Sequence, residues 1–239
     1  MAITEVGTRS IADISVADGA QTVNNVTHTT TANTDLLLAF IGMEGNEGLV
    51  ASGCQFGGVD LTEIHDTGST GSNGDIRIYV YGIVSPGESS STARTSIQGS
   101  GTPLISVWVN INGTATSSVA AATNFISESN NTTPASTNVL SSGGASPNGL
   151  MAWGVAQNSN MANSAFDSGF TELLEGETDV SADDISYNLA SHFAGAPSGT
   201  TITWASSNEC AAVLIELGTS TGGIVQQAMH HYRNHGRLF

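Results

Sequence analysis

Asp75-Ile76-Arg77-Ile78-Tyr79-Val80-Tyr81-Gly82-Ile83-Val84 alternates strictly along its length. Ile76, Ile78, Val80 and Gly82 fall on one side, and Arg77, Tyr79, Tyr81 and Ile83 on the other. A two-residue period of this kind is the pattern of a β-strand packed on a core, and Pro86-Gly87 closes it with a turn. Downstream, Leu104-Ile105-Ser106-Val107-Trp108-Val109-Asn110-Ile111 is a second strand ended by Asn112-Gly113. Upstream, Asp35-Leu36-Leu37-Leu38-Ala39-Phe40-Ile41-Gly42 is too short for an ordinary core helix and reads as a buried strand. Between them, Cys54 to Ile64 holds two short extended runs around Gly57-Gly58, a hairpin or bulge.

The same events recur in the second half. Gly149 to Gln157 resembles the Leu36 to Gly42 strand, and Gly169-Phe170-Thr171-Glu172-Leu173-Leu174-Glu175 parallels Phe56 to Glu63. Ile185 to Phe193 alternates like Ile76 to Val84. Thr200 to Trp204 and Cys210 to Leu217 complete the series, so the body reads as two related arrays of strands meeting near residue 115. Residues 1 to 15 read as a lead-in carrying an edge strand. Ser118 to Phe125 allows one or two helical turns, and residues 123 to 148 read as a long polar loop with one short outer strand. Many short strands separated by polar turns predict an all-β fold, a two-sheet antiparallel β-sandwich of jelly-roll type over residues 1–218. Phe40, Trp108, Trp153, Trp204 and Phe193 are its candidate apolar centre. Residues 219–239 form a linker and a C-terminal docking tail.

Charge narrows the function. The chain has 21 acidic residues, five arginines and no lysine, for a formal net charge of −16. A body so acidic offers nothing to neutralise a run of phosphates, which excludes a nucleic-acid groove. No apolar stretch is long enough to span a bilayer, so membrane insertion is not expected. The opening residues lack a basic region followed by an apolar one, so no signal peptide is visible and folding in a cytoplasm is expected. Cys54 and Cys210 sit among apolar or small residues as buried thiols do, with a disulfide between them left open.

Catalytic signatures are absent from the sequence: no Gly-x-Ser-x-Gly, no His-Glu-x-x-His, no phosphate loop ending in Gly-Lys. A non-enzymatic role is therefore expected, and no cofactor. Calcium is the better metal candidate, through hard oxygens at Glu44-Gly45-Asn46-Glu47, Glu175-Gly176-Glu177-Thr178-Asp179 and Asp183-Asp184. None of these matches an EF-hand loop, and solvated acidic loops are the plainer reading. The tail histidines, His230, His231 and His235, lack the further ligands that zinc requires.

Two surfaces are candidate binding elements. Tyr79, Tyr81 and Tyr187 are read on the faces opposite the predicted core, a possible platform for a glycan or a protein. The tail is the sharper candidate. Its last 16 residues carry two of the five arginines, three of the six histidines and no acidic side chain. Ile224, Val225 and Met229, then Tyr232, Arg233, Arg237, Leu238 and Phe239, combine apolar anchors with positive charge. That combination suits docking onto the acidic body of a neighbouring copy.

The pairing of Asp35–Phe40 with Phe56-Gly57-Gly58-Val59-Asp60-Leu61-Thr62 resembles a widespread group of bacterial and phage β-sandwich domains. These close on an Ala-rich apolar strand like Ala211 to Leu217, and the resemblance spans roughly residues 20 to 217. Members occur in adhesin-like and virion-associated proteins, and His231-Tyr232-Arg233 resembles the ends of some phage structural proteins. The resemblance implies a virion component assembled in a host cytoplasm, a capsid decoration protein or tail-associated adhesin. Its partners would be copies of itself, a shell or tail protein, or a host-surface glycan. A free-standing sugar-binding module and an extracellular filament subunit are the competing expectations.

Overall fold

In the computed structural model the described residues are 2–14, 22–44, 49–68, 76–97, 103–143, 149–157, 165–167, 169–178, 185–193 and 199–219. The strands are β1 (Thr4–Glu5), β2 (Ser10–Ile14), β3 (Thr22–Thr30), β4 (Leu36–Glu44), β5 (Leu49–Phe56), β6 (Val59–Asp60), β7 (Thr62–Asp66) and β8 (Ile76–Val84). They continue with β9 (Ser89–Ile97), β10 (Leu104–Asn112), β11 (Thr123–Ser141), β12 (Leu150–Gln157), β13 (Ala165–Phe166), β14 (Thr171–Glu177), β15 (Ile185–His192) and β16 (Gly199–Leu217). One helical turn, α1 (Val119–Ala122), follows the cap Ser118, whose hydroxyl accepts the Ala121 N–H.

Every named pairing is antiparallel, and the all-β sandwich is as expected, built from three sheets. The first runs β1-β10-β4-β8-β7, with β2 beside β10. The second runs β11-β16-β12-β15-β14, with β13 on β16, and the third runs β3-β9-β5-β6. The first two face one another across the main core. Leu38, Phe40, Ile78, Val80, Val107 and Val109 come from one side, and Met151, Trp153, Val155, Leu189, Val213 and Ile215 from the other. The third sheet covers the outer face of the first over Leu37, Ile41, Cys54, Phe56, Tyr79 and Trp108. The outer face of the second holds Leu150, Ile202, Trp204, Cys210 and Leu214.

The two halves share one topology: β10-β4-β8-β7 in the first corresponds to β16-β12-β15-β14 in the second. The edge strands even carry a bulge at the same place, between Glu63 and His65 in β7 and between Glu172 and Leu174 in β14. Aligning the bulges pairs Thr62-Glu63-Ile64 with Thr171-Glu172-Leu173. Carried through the ladders, that alignment makes Phe40 equivalent to Trp153 and Gly42 to Val155. These equivalent residues also touch. The Phe40 and Trp153 rings lie 6.1 Å apart, and a Cβ on Gly42 would sit 2.5 Å from a Val155 methyl. Contact between equivalent positions is the mark of an isologous interface. The chain is therefore a fused pseudo-dimer, with the approximate twofold passing between β4 and β12.

Several segments differ from their sequence reading. Residues 123–141 are one 19-residue strand, β11, rather than mostly loop. Its asparagines, serines and threonines satisfy their backbone groups along β16, so apolar alternation is not needed to hold it. Thr200–Trp204 and Cys210–Leu217 are parts of a single strand, β16. β9, Ser-Ser-Ser-Thr-Ala-Arg-Thr-Ser-Ile, gave no apolar signal and was not expected as a strand, while the extended run read at Cys54–Phe56 is the end of a longer strand, β5. The Gly57-Gly58 turn holds, with φ of 58° and 81°, values that glycine adopts without a Cβ penalty.

Candidate functional site

The tyrosine platform is not a surface. Tyr79 is 3% exposed and lies between the first and third sheets. Tyr187 is 8% exposed and stacks on Trp153 in the main core, its ring 5.9 Å away. Tyr187 shares its face with Ile185 and Leu189, and the Tyr79 face of β8 is covered by the third sheet. A strand between two layers buries both its faces, which alternation alone does not reveal. Tyr81 is half-buried, and its hydroxyl donates to Glu63 at 2.8 Å. Burial, then that hydrogen bond to a carboxylate, pushes its ionisation upward.

The docking residues Ile224, Val225, Met229, Tyr232, Arg233, Arg237, Leu238 and Phe239 lie outside the described residues. So do Gly45, Asn46, Glu47, Asp179, Asp183 and Asp184 of the calcium candidates. Of the rest, the Glu44 carboxylate accepts from Gln157 Nε2 at 2.8 Å across the main core. Among the described residues no three His, Cys, Asp or Glu side chains converge as metal ligands. Cys54 and Cys210 are free and buried, in different apolar layers. Burial raises both thiols above their usual range, against the opposing pull of Asn131 and Asn138 on Cys210.

One polar chain has the composition of a catalytic triad. The His28 ring lies 2.9 Å from Ser10 Oγ through Nδ1 and 3.0 Å from Asn110 Oδ1 through Nε2. Asn110 Nδ2 donates to the Thr29 carbonyl, so its Oδ1 must accept from His28, leaving His28 Nδ1 as an acceptor. His28 is wholly buried beside the Phe56 and Trp108 rings, and burial lowers its pKa. A base that must become an imidazolium is poorly served by that burial and by a neutral asparagine. What the chain does well is join β2, β3 and β10: the Ser10 hydroxyl lies within reach of both His28 Nδ1 and the Thr27 carbonyl, at 2.9 and 3.2 Å, and its single proton serves one or the other. With Asn110 on the Thr29 carbonyl, the free edge of β3 is covered against pairing with another chain.

The pseudo-twofold creates two equivalent seams, each where the edge of one sheet overhangs the edge of the other. At the first, β7 meets α1 and β11. There Val119 and Ala122 of α1 are buried, and His65 Nε2 reaches Glu128 at 2.6 Å. At the second, β14 and the end of β15 meet β1 and the segment after it. Arg9 donates to the Leu173 carbonyl and pairs with Glu5 at 2.5 Å. No helical turn fills this seam, and a groove of about 530 Å³ opens between Ile3, Thr4 and Glu5 on one wall and Thr171, Leu173, His192 and Phe193 on the other. A Cβ on Gly169, whose φ is 103°, would meet the His192 ring at 3.2 Å, so glycine lets the chain pass beneath that ring. His192 also packs on Phe170, ring centroids 5.6 Å apart, and its shielded Nδ1 has no hydrogen-bond partner among the described residues. Sequence reading had drawn attention to neither seam, because His65 and Glu128 stand 63 positions apart and Arg9 and Leu173 stand 164 apart.

The remaining arginines of the described residues are engaged. Arg77 meets Asp66 at 2.6 and 2.8 Å and lies over the Tyr79 ring, while Arg94 donates to Ser96 Oγ. Burial raises the Asp66 carboxyl, but hydrogen bonds from Arg77 and the Gly68 N–H outweigh it and leave its pKa lowered. No described helix is long and apolar enough to cross a membrane. No protein-family model, no curated protein and no solved structure matches this chain.

Proposed function

We propose that the chain is a non-enzymatic structural component of a virion, a capsid decoration (cement) protein or a tail-associated adhesin, that assembles through residues 224–239. The observation that carries this reading is the opposition of charge within one chain. Residues 1–218 hold all 21 acidic side chains and three of the five arginines, and those three are already engaged within the body. Residues 224–239 hold the other two arginines, three histidines and no acid. An acidic body repels its copies at long range, and a basic, apolar-tipped segment supplies the attraction that fixes their register.

The architecture supports the same reading. A self-complementary apolar face is used internally, between the halves. Two of the sheet edges are acidic: β7 carries Glu63 and Asp66, and β14 carries Glu172, Glu175 and Glu177. Such edges resist strand-to-strand association. The sugar-binding alternative loses its particular support, because two of its three tyrosines are buried and the third is tied to Glu63.

Light scattering of the full chain and of a chain ending at Thr219 tests the proposal. An oligomer that falls to monomer on truncation is the expected result. Equal mass for both chains overturns assembly through residues 224–239.

A further inference from the structure

We infer that the groove at the second seam is the receptor for the end of residues 224–239 of a neighbouring copy, taking Leu238 and Phe239 as its anchors. The inference rests on the reading that these residues mediate assembly, and it names the surface they occupy. Three observations converge on the groove.

First, position. Thr219, the last described residue, forms an antiparallel bridge with Thr114. The adjacent Gly113 lies so close to Ala2 that a Cβ there would stand 2.4 Å from the Ala2 carbonyl, and Ala2 borders the groove. Groove and tail root therefore share one end of the molecule, so two copies apposed at that end can exchange tails reciprocally, closing a twofold pair. The nineteen residues from Thr219 to Leu238 span up to about 60 Å when extended, ample for the crossing.

Second, size and lining. A volume of about 530 Å³ lies within the ~300–1,000 Å³ of sites that enclose a compact ligand. It suits a pair of large side chains and not a folded element. Ile3, Leu173 and Phe193 supply apolar contact, while His192 offers a shielded ring nitrogen with no partner among the described residues. A buried polar atom without a partner is unfavourable, which marks the His192 ring as a place where a bound segment changes the packing.

Third, charge. Glu5 lines the groove and the exposed Glu172 lies between its lining residues Thr171 and Leu173 on β14, and the arriving segment brings Arg233 and Arg237 without an acid. At the equivalent first seam α1 packs against β7 and β8.

The test uses the full chain with p-benzoylphenylalanine replacing Phe239, mixed as equal parts of unlabelled and nitrogen-15-labelled copies and irradiated. Cross-links are expected within residues 2–5, 169–174 or 191–193, as labelled–unlabelled pairs. Cross-links elsewhere in an intact oligomer, or confined to single chains, overturn the inference and leave tail-mediated assembly standing. Loss of that broader reading shows separately, as an unchanged mass for the chain ending at Thr219. Thr171→Arg in the full chain adds bulk and like charge at an exposed groove position. It is expected to raise the concentration for half-assembly at least tenfold with an unchanged melting temperature, whereas unaltered assembly overturns the inference.

Discussion

Gly42 brings β4 against Val155 of the facing sheet, and a double-mutant cycle there tests the pseudo-dimer directly. A Cβ at Gly42 would lie 2.5 Å from one Val155 methyl, 3.2 Å from the other, and 3.2 Å from a methyl of Ile105. Val155 is fully buried and β-branched, so it cannot rotate away cheaply. Gly42→Ala should therefore cost about 1–3 kcal/mol as an overpacked core does, less the few tenths to 1 kcal/mol that alanine gains over glycine through the unfolded chain. Val155→Ala alone removes two methyl groups, about 1.6 kcal/mol in transfer terms and about 2–3 kcal/mol with the cavity left behind. Combined, the new methyl occupies space that the deleted ones vacate. The double variant should recover about 1–2 kcal/mol relative to the sum of the single changes. Urea denaturation followed by tryptophan fluorescence reads this well, since Trp153 stands two residues from Val155 on β12. The slope against urea should stay constant while the midpoints move. Additive effects within about 0.3 kcal/mol would mean that β4 and β12 do not meet at these positions, and the twofold relation would fall with them.

Acid should destabilise the fold in two windows. His28 has a lowered pKa through burial, so above about 6.5 it is neutral in both states. As pH falls below that, the unfolded chain takes the proton first and stability declines until the folded-state value is passed. Asp66 has a lowered pKa, so its contribution is present above about 3.9 and is lost as pH falls through the lower folded value. Stability curves from pH 8 to 3 should show both declines, and His28→Gln should flatten the first alone; a parent curve flat between pH 6.5 and 5 contradicts the account. Tyr187→Ala should cost about 3–5 kcal/mol, as large aromatic truncations in cores do, against under about 0.5 kcal/mol for an exposed platform. Chemical denaturation decides between the two values. Cys54 and Cys210 should resist a thiol reagent in the native protein and react together on unfolding, a result that early labelling of either would refute.

Alternation in Ile76–Val84, apolar runs at Leu36–Phe40 and Cys210–Leu217, and the second-half echo of the first were enough to read an all-β sandwich with two related arrays. Those features are local and periodic, and periodicity survives in a single chain. Layer number did not. The same alternation describes a strand with one wet face and a strand between two sheets, so Tyr79 was read as exposed when a third sheet lies over it. Thr22 to Thr31 reads in sequence as an exposed polar strand or hairpin arm, and β3 is that strand, but its partner β9 and the layer they make were hidden, because both are chiefly serine, threonine and asparagine and hold together through a nine-residue ladder. The long polar strand β11 was missed for the same reason. Both seams were illegible, since Arg9 with Leu173 and His65 with Glu128 are set by how the halves cross and not by spacing.

The fused pseudo-dimer also explains why attachment should reside outside the body. A separate half would expose the broad apolar face that now carries Phe40, Val80, Val107 and Val109, and two halves in one chain cover that face permanently. Association between chains cannot reuse it. Among the described residues the outside carries acid on β7 and β14, the polar edge strand β11, an edge of β3 covered by Ser10 and Asn110, and a few exposed large apolar side chains, such as Val139 at 63% exposure. Scattered residues of that kind do not make an interface. The two seams differ in what fills them: α1 packs into the first, and β1 lines the groove at the second. That departure from the twofold gives the body a distinguishable end, the one at which Thr219 also lies.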